Sequence, residues 1–202
     1  MLKGLASDIT GSSDICVPVR DLSKCLATHY VLPGETIMFA LQSSKEEFSF
    51  TNQALIRVEG SSATTTRKLV ERFEYKSHPI THVKFETAGR VDRDCEIKFM
   101  IGTEKISIDI ATAEEPEAIV YYKVLALLGR QQHTNSREWE FANAALGHAA
   151  SALRLRDGVL TTQADGVAHW LHEQYKKHQP RCYREVIAAA MQEVRTNTKM
   201  MQ

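Results

Sequence analysis

Apolar and polar side chains alternate along much of the chain between residues 35 and 110. The clearest example is Tyr75–Ile101, where Ile80–Glu86 and Cys95–Ile101 each alternate with a period of two. This alternation places one set of side chains in a core and the other in water, and it predicts β-strands. Between the two strands lies Ala88-Gly89, and the glycine supplies the backbone freedom that a turn or bulge needs.

Short segments of this kind follow one another closely, and turn-forming residues such as Gly60 and His78-Pro79 separate them. The predicted strands are 35–41, 47–51, 55–59, 67–75, 80–87, 95–101 and 105–110. About seven short strands at this spacing are typical of an antiparallel barrel or sandwich. Before them, Pro18 is predicted to open a short helix that ends at Pro33-Gly34.

The hydrophobic pattern changes to a helical period after the last predicted strand. Glu114-Glu115-Pro116 is an acidic, proline-containing helix start, and Gly129 is predicted to end this helix. Beyond Gln131 about three amphipathic helices follow, separated at Asp157-Gly158 and Pro180. They are expected either to form a small bundle or to pack on the strands. We therefore divide the chain into a strand-rich domain at 1–130 and a helical region at 131–202.

The composition excludes several classes of protein. Lys plus Arg and Asp plus Glu both number 25, so the chain lacks the basic excess that is typical of nucleic-acid binders. A net charge near zero also favours self-association. The four cysteines form no CxxC pair, and neither a signal peptide nor a membrane-spanning apolar run is visible. These features predict a cytoplasmic protein.

Several short elements resemble, in order and spacing, the bacterial pleckstrin-homology-like family over about residues 4 to 129. They are Leu32-Pro33-Gly34-Glu35, Phe48-Ser49-Phe50-Thr51-Asn52, Glu74-Tyr75 with Ser77, Pro79-Ile80, and Phe85-Glu86-Thr87-Ala88-Gly89 followed by Asp92, Asp94 and Glu96. The resemblance implies an α+β fold, in which a helix caps a seven-stranded antiparallel barrel, and here about three α-helices follow it. It also implies homo-oligomeric rings formed through strand edges, and no enzymatic activity.

Two features depart from this family pattern. Residues 136–202 match no motif of the family, although some relatives carry a helical extension. The loop at 60–66 is unusually rich in serine and threonine. The role of the helical region therefore stays open between covering the barrel and docking on a neighbouring subunit.

Candidate chemistry is sparse along the chain. His169 and His172 have a helical spacing that can present two imidazoles to a metal, but no third ligand is obvious. No nucleophile elbow, phosphate loop or dinucleotide motif occurs, so we predict no catalytic residue, no metal and no cofactor. The acidic residues near Gly89 instead suggest a solvated face or a subunit contact. The candidate interface is Thr87, Ala88, Gly89, Asp92 and Asp94.

The alternative function is binding of anionic lipid headgroups by a peripheral membrane adaptor. Its candidate anion contacts are Lys45, Arg67, Lys68 and Arg72, but neighbouring acidic residues such as Glu46, Glu47, Glu71 and Glu74 dilute their charge. We therefore favour a non-catalytic protein-interaction or scaffold module that homo-oligomerises, with the helical tail as a docking or assembly element. Phe141 and Trp139 are expected in the core, or as interface anchors if exposed.

Overall fold

The computed structural model describes residues 14–60, 67–87, 94–152 and 157–200. Within these ranges the chain forms two antiparallel sheets, which three α-helices follow. The first sheet has the order β1-β2-β3-β4-β5, and the second has the order β6-β7-β8. Their bounds are β1 Val17–Pro18, β2 Ile37–Gln42, β3 Glu46–Thr51, β4 Ala54–Gly60, β5 Lys68–Glu74, β6 Ile80–Glu86, β7 Asp94–Ile101 and β8 Glu104–Ala111.

The predicted helix at Pro18 is wrong, because Val17–Pro18 pairs with β2 as an additional short strand. Two 3-10 turns follow it, Leu22–Lys24 and Leu26–His29, and Cys25 between them is extended. The carboxylate of Glu47 on β3 accepts hydrogen bonds from the backbone N–H groups of Leu26 and Ala27 at 2.7 and 2.9 Å. These tertiary hydrogen bonds take the place of the helical ones that the local sequence predicted.

The alternating pattern positions the core as expected. On β7 the side chains of Cys95, Ile97, Phe99 and Ile101 are buried, while the residues between them face outward. The aromatic ring of Phe39 stacks on Phe50, with 4.4 Å between centroids. Burial of these apolar surfaces is the main stabilising term of the two sheets.

The first α-helix, α1, spans Glu115–Ala152 and continues through Gly129, where the sequence predicted its end. A Cβ atom added at Gly129 would collide with the carbonyl oxygen of Ile80 on β6. The glycine therefore permits a close approach of helix and sheet, and it does not stop the helix. Buried residues of α1, among them Val124 and Leu128, complete the core on this side.

The remaining helices are α2, Asp157–His178, and α3, Arg184–Met200. The chain divides into a sheet unit, which takes Met1–Gly129 and Cys182–Gln202, and a helical unit, Arg130–Arg181. This differs from the predicted division, in which 131–202 form one helical region. The two divisions differ because α3 packs on the sheet unit. Ile187 and Val194 on its apolar side, and Tyr183 immediately before it, are buried in the core of that unit.

Candidate functional site

Two strands that follow one another in the chain, β5 and β6, are outer strands of their sheets. Among the described residues, β5 pairs only with β4, and β6 pairs only with β7. An edge strand presents backbone N–H and C=O groups that can pair with a further strand. The outer sides of β5 and β6 therefore offer positions at which a further strand can add.

The predicted interface lies beside the second of these edges. Thr87 is exposed immediately after β6, and Asp94 begins β7 opposite Ala111. Because Glu86 pairs with Glu96, Thr87 and Asp94 lie at the same end of the second sheet. The other predicted members, Ala88, Gly89 and Asp92, lie outside the described residues.

A lysine forms ion pairs with two of the acidic residues at this end of the sheet. Lys98 Nζ lies 2.6 Å from a carboxylate oxygen of Glu96 and 2.9 Å from one of Glu86. Desolvation raises the pKa of Glu96, but hydrogen bonds from Lys98 and Ser107 outweigh it and lower the pKa below its ordinary value. This part of the face is therefore an ordered ion-pair network.

Arg72, one of the four predicted anion contacts, is held by carboxylates. Its Nη1 donates to both oxygens of Glu35, at 3.1 and 2.9 Å, and its Nε lies 3.4 Å from Glu74. The Glu35 side chain has no exposed surface. Desolvation raises the pKa of Glu35, but hydrogen bonds from Arg72, Leu32 and Thr51 lower it below its ordinary value. The arrangement makes Arg72 a structural partner of Glu35.

The structure brings the other three predicted anion contacts to one end of the first sheet. The carbonyl oxygen of Lys45 accepts a hydrogen bond from the N–H of Gly60, and Gly60 lies opposite Lys68. Arg67 immediately precedes Lys68, whereas Arg72 is opposite Ile56, four residues further along the strand. Lys45 also forms an ion pair with Asp14 at 3.0 Å.

Carboxylates at the same end moderate this positive charge. Glu46 lies directly opposite Glu59, an arrangement of like charges that is unfavourable in a sheet. Desolvation raises the pKa of Glu46 to about 7; Arg57 opposes the increase, and Glu59, Asp14 and Asp109 add to it. The net charge of this end therefore depends on the protonation of Glu46, and so on pH.

The expectation that Glu47 dilutes the positive charge at the surface of this hairpin is wrong, because Glu47 is buried. Its side chain is buried and accepts hydrogen bonds from Leu26 N, Ala27 N and Ser49 Oγ. The alternation of β3 gave no signal for this burial, because Phe48 and Phe50 take the core positions and Glu47 lies on the opposite face, where a buried carboxylate needs such partners. Glu47 therefore orders the 3-10 turns and is not available to a ligand.

The histidine pair on α2 does not acquire further ligands. His169 and His172 are both exposed, and within the described ranges no three His, Cys, Asp or Glu side chains are grouped as a metal site would require. Nor does the described part of the chain contain a helix with the length and apolar character to cross a membrane.

Aromatic side chains remain accessible on the helical unit. Phe141 is 76% exposed, and Trp170 and Val167 are each 41% exposed. Phe141 is therefore not a core residue, so the alternative expectation for it applies, that of an interface anchor. Trp139 contacts Tyr175 edge-on, with 5.2 Å between ring centroids, and joins α1 to α2.

Comparison with known proteins agrees with the arrangement of sheets and helix. The family model of the bacterial PH domain matches residues 13–128. The uncharacterised protein YvbH of Bacillus subtilis is 34% identical over 157 residues, covering 76% of this chain and 77% of YvbH. The uncharacterised protein YjqA of the same organism is 31% identical over 99 residues, which is 48% of this chain and 78% of YjqA.

A solved structure extends the similarity beyond the sheets. The crystal structure of a PH-domain-containing protein from Exiguobacterium sibiricum has a TM-score of 0.81 and 32% identity, covering 88% of this chain and all of that protein. This coverage reaches past residue 128 into the helical part. The predicted pleckstrin-homology-like α+β fold is confirmed, and the chain belongs to the bacterial PH domain family.

Proposed function

We propose that this chain is a non-catalytic interaction module, in which the sheet unit acts as a rigid scaffold. Membership of the PH-domain family suggests a protein-interaction or lipid-binding module, and proteins of this family are generally non-catalytic. Within these possibilities, we propose that the sheet unit binds an extended protein segment at its outer strands β5 and β6.

The position of β5 and β6 as outer strands supports this proposal. An extended segment that adds to an edge gains backbone hydrogen bonds, while pockets for alternate side chains provide specificity. The exposed Thr87 lies at the end of β6, where an added strand would meet the predicted interface. A second copy of the chain is the occupant that we favour, since a net charge of zero imposes no overall repulsion between copies.

The helical unit is the second element of the proposed assembly. Its exposed aromatic side chain, Phe141, has the character of an interface anchor, because large aromatic residues dominate binding energies at protein interfaces. We assign to it the docking of the helical tail on a neighbouring subunit.

Size-exclusion chromatography with light scattering tests the edge proposal. We expect an oligomer that Thr87→Arg weakens, because the substitution puts a large charge beside the β6 edge. Thr103→Arg is the matched control, since Thr103 is an exposed threonine at the opposite end of the second sheet, in the turn between β7 and β8. A monomeric wild-type chain at high concentration, or equal effects of both substitutions, would contradict it.

A second candidate function is binding to an anionic membrane surface. The observation that favours it is the convergence of Lys45, Arg67 and Lys68 at one end of the first sheet. Each basic residue near such a surface adds about 1 kcal/mol of attraction. Flotation with phosphatidylserine vesicles should recover the wild-type chain and the control Lys123→Gln, but not Lys45→Gln/Lys68→Gln. The proposal fails if the wild-type chain does not float.

A further inference from the structure

The outward face of the second sheet contains a local irregularity in β6. Thr81 pairs with Met100 and Lys84 with Lys98, so three steps along β6 match two steps along β7. The additional residue forms a β-bulge. Within it His82 has φ 52°, a left-handed conformation that is uncommon for a residue other than glycine. Such conformations are concentrated at functional sites, where the surrounding structure maintains them.

Lysines surround this bulge on all three strands. Lys84 on β6 lies directly opposite Lys98 on β7, and Lys105 on β8 lies directly opposite Met100. Like charges in opposite positions destabilise a sheet. Glu96 and Glu86 neutralise Lys98, but Lys84 and Lys105 are exposed and form no ion pair with any side chain in the described ranges. Two lysines are thus left available, one on each side of β7.

These residues line a groove on the sheet surface with a volume of about 580 Å³. Lys84 and His82 form one side of it, Lys105 the other, and Met100 lies on the central strand between them. His82 Nδ1 is within hydrogen-bond distance of Thr81 Oγ1, at 3.1 Å, which leaves the other ring nitrogen for a ligand. The groove therefore combines two lysines and an imidazole with the Lys98–Glu86 ion pair and an apolar floor at Met100.

We propose that this groove binds a phosphate group. Lysine is a compact point charge with three donors and a common phosphate-binding residue in proteins, and Lys84 and Lys105 stand on opposite sides of the groove. Lys84 and Lys105 contact the phosphate oxygens from opposite sides, and Met100 contacts the uncharged part of the ligand. The phosphate belongs to a free phosphorylated molecule or to a lipid headgroup.

The groove shares β6 with the proposed edge contact, but it uses outward side chains of that strand and not its backbone hydrogen-bonding groups. The lysines of the second candidate function lie on the first sheet, and Lys84 and Lys105 lie on the outward face of the second. The phosphate proposal does not depend on the oligomeric state or on the edge contacts. Its failure would therefore leave the edge proposal intact, and the reverse also holds.

Methyl NMR on the full chain, with 13C-methyl-labelled methionines, tests the proposal at any oligomer size. The chain has six methionines, and Met100→Leu assigns the resonance of interest. Titration with inorganic phosphate should shift the Met100 resonance with saturation and leave Met38, on the first sheet, unchanged. Lys84→Gln/Lys105→Gln should weaken binding at least about tenfold, as expected for loss of two charge-assisted contacts. Lys45→Gln/Lys68→Gln should leave it unchanged.

Cosedimentation with phosphatidylcholine vesicles that contain a phosphoinositide distinguishes the two sources of phosphate. Sedimentation that Lys84→Gln/Lys105→Gln abolishes identifies a lipid headgroup. A Met100 shift with free phosphate but no sedimentation identifies a soluble ligand. The proposal is overturned if free phosphate leaves the Met100 resonance unchanged and the chain does not sediment with the vesicles. It is also overturned if sodium chloride at the same ionic strength shifts the Met100 resonance equally. It is equally overturned if the double variant, folded by circular dichroism, binds phosphate as the wild type does.

Discussion

The sheet unit and the helical unit use their apolar side chains in opposite ways. In the sheet unit the inward positions of β7 and the apolar side of α3 are buried, as in Ile97, Phe99 and Ile187. In the helical unit no described apolar side chain is fully buried, and Phe141 is the most exposed of its large apolar residues. Because stability follows buried apolar area, the difference separates a part that maintains the fold from a part whose surface is available for binding.

The largest expected effect contrasts two phenylalanines. Phe50→Ala in the sheet unit should lower the free energy of unfolding by about 3 to 5 kcal/mol, since it removes a fully buried ring and leaves a cavity. At a concentration where the chain is monomeric, Phe141→Ala should change it by less than about 0.5 kcal/mol, because little apolar area is lost within the chain. Urea unfolding followed by circular dichroism measures both. Equal losses would show that Phe141 contributes to a core after all.

The next contrast is between a buried and an exposed ion pair. Arg72→Met leaves the enclosed carboxylate of Glu35 without its cation and should destabilise the chain by about 3 kcal/mol at pH 7. Because the pKa of Glu35 is lowered from 4.5, the pair stabilises the fold above that pH, and the difference should shrink as the pH falls below it. The control is Lys176→Met in the helical unit, whose solvent-exposed pair with Glu173 should contribute little to stability. A difference independent of pH would contradict the assignment.

Two glycines of the same helix, one in each unit, should respond with opposite sign. Gly129→Ala places a Cβ against the backbone of Ile80 and should destabilise the chain by about 1 to 3 kcal/mol. Gly147→Ala meets nothing within 4 Å and should stabilise it by about 0.5 to 1 kcal/mol, through helix propensity. Thermal unfolding compares them directly. A stabilising Gly129→Ala would refute the close approach of helix and sheet.

The smallest contrast between a variant and its control concerns the mixed-charge end of the first sheet. The pKa of Glu46 is raised from 4.5 to about 7, so its protonated form favours the folded state, and its contribution is lost as the pH rises from 4.5 through 7. Glu46→Gln should therefore raise the free energy of unfolding by about 1 to 2 kcal/mol at pH 8 and have little effect at pH 4. Urea unfolding at both pH values measures this, with Glu104→Gln, an exposed glutamate of β8, as the control.

Local patterns predicted the strands well because burial on a sheet follows the same period of two as the sequence. Cys95 and Phe99 alternate with outward residues both in the sequence and in β7. The same reasoning failed at Gly129, whose role depends on Ile80, a residue distant in sequence. It also failed at the 3-10 turns, because Glu47 satisfies their backbone from another element.

The candidate sites were less predictable than the fold. The sequence identified the basic residues of the first sheet but could not show that Arg72 is held by Glu35, 37 residues earlier. The lysine groove was missed, since Lys84, Lys98 and Lys105 become neighbours only through strand register. His82 gave no signal either, because glycine, and not histidine, is the usual marker of a left-handed bulge residue.

The return of the chain to the sheet unit after residue 181 has a consequence for biosynthesis. The helical unit is an insertion between two parts of one core, and the N–H of Tyr183 donates to the carbonyl oxygen of Asn52 at 2.7 Å. The ribosome synthesises the chain from the N-terminus to the C-terminus, so the strands emerge well before Ile187 and Val194. Until α3 is synthesised, the apolar side chains of the sheet unit that Ile187 and Val194 cover in the folded chain therefore lack these partners.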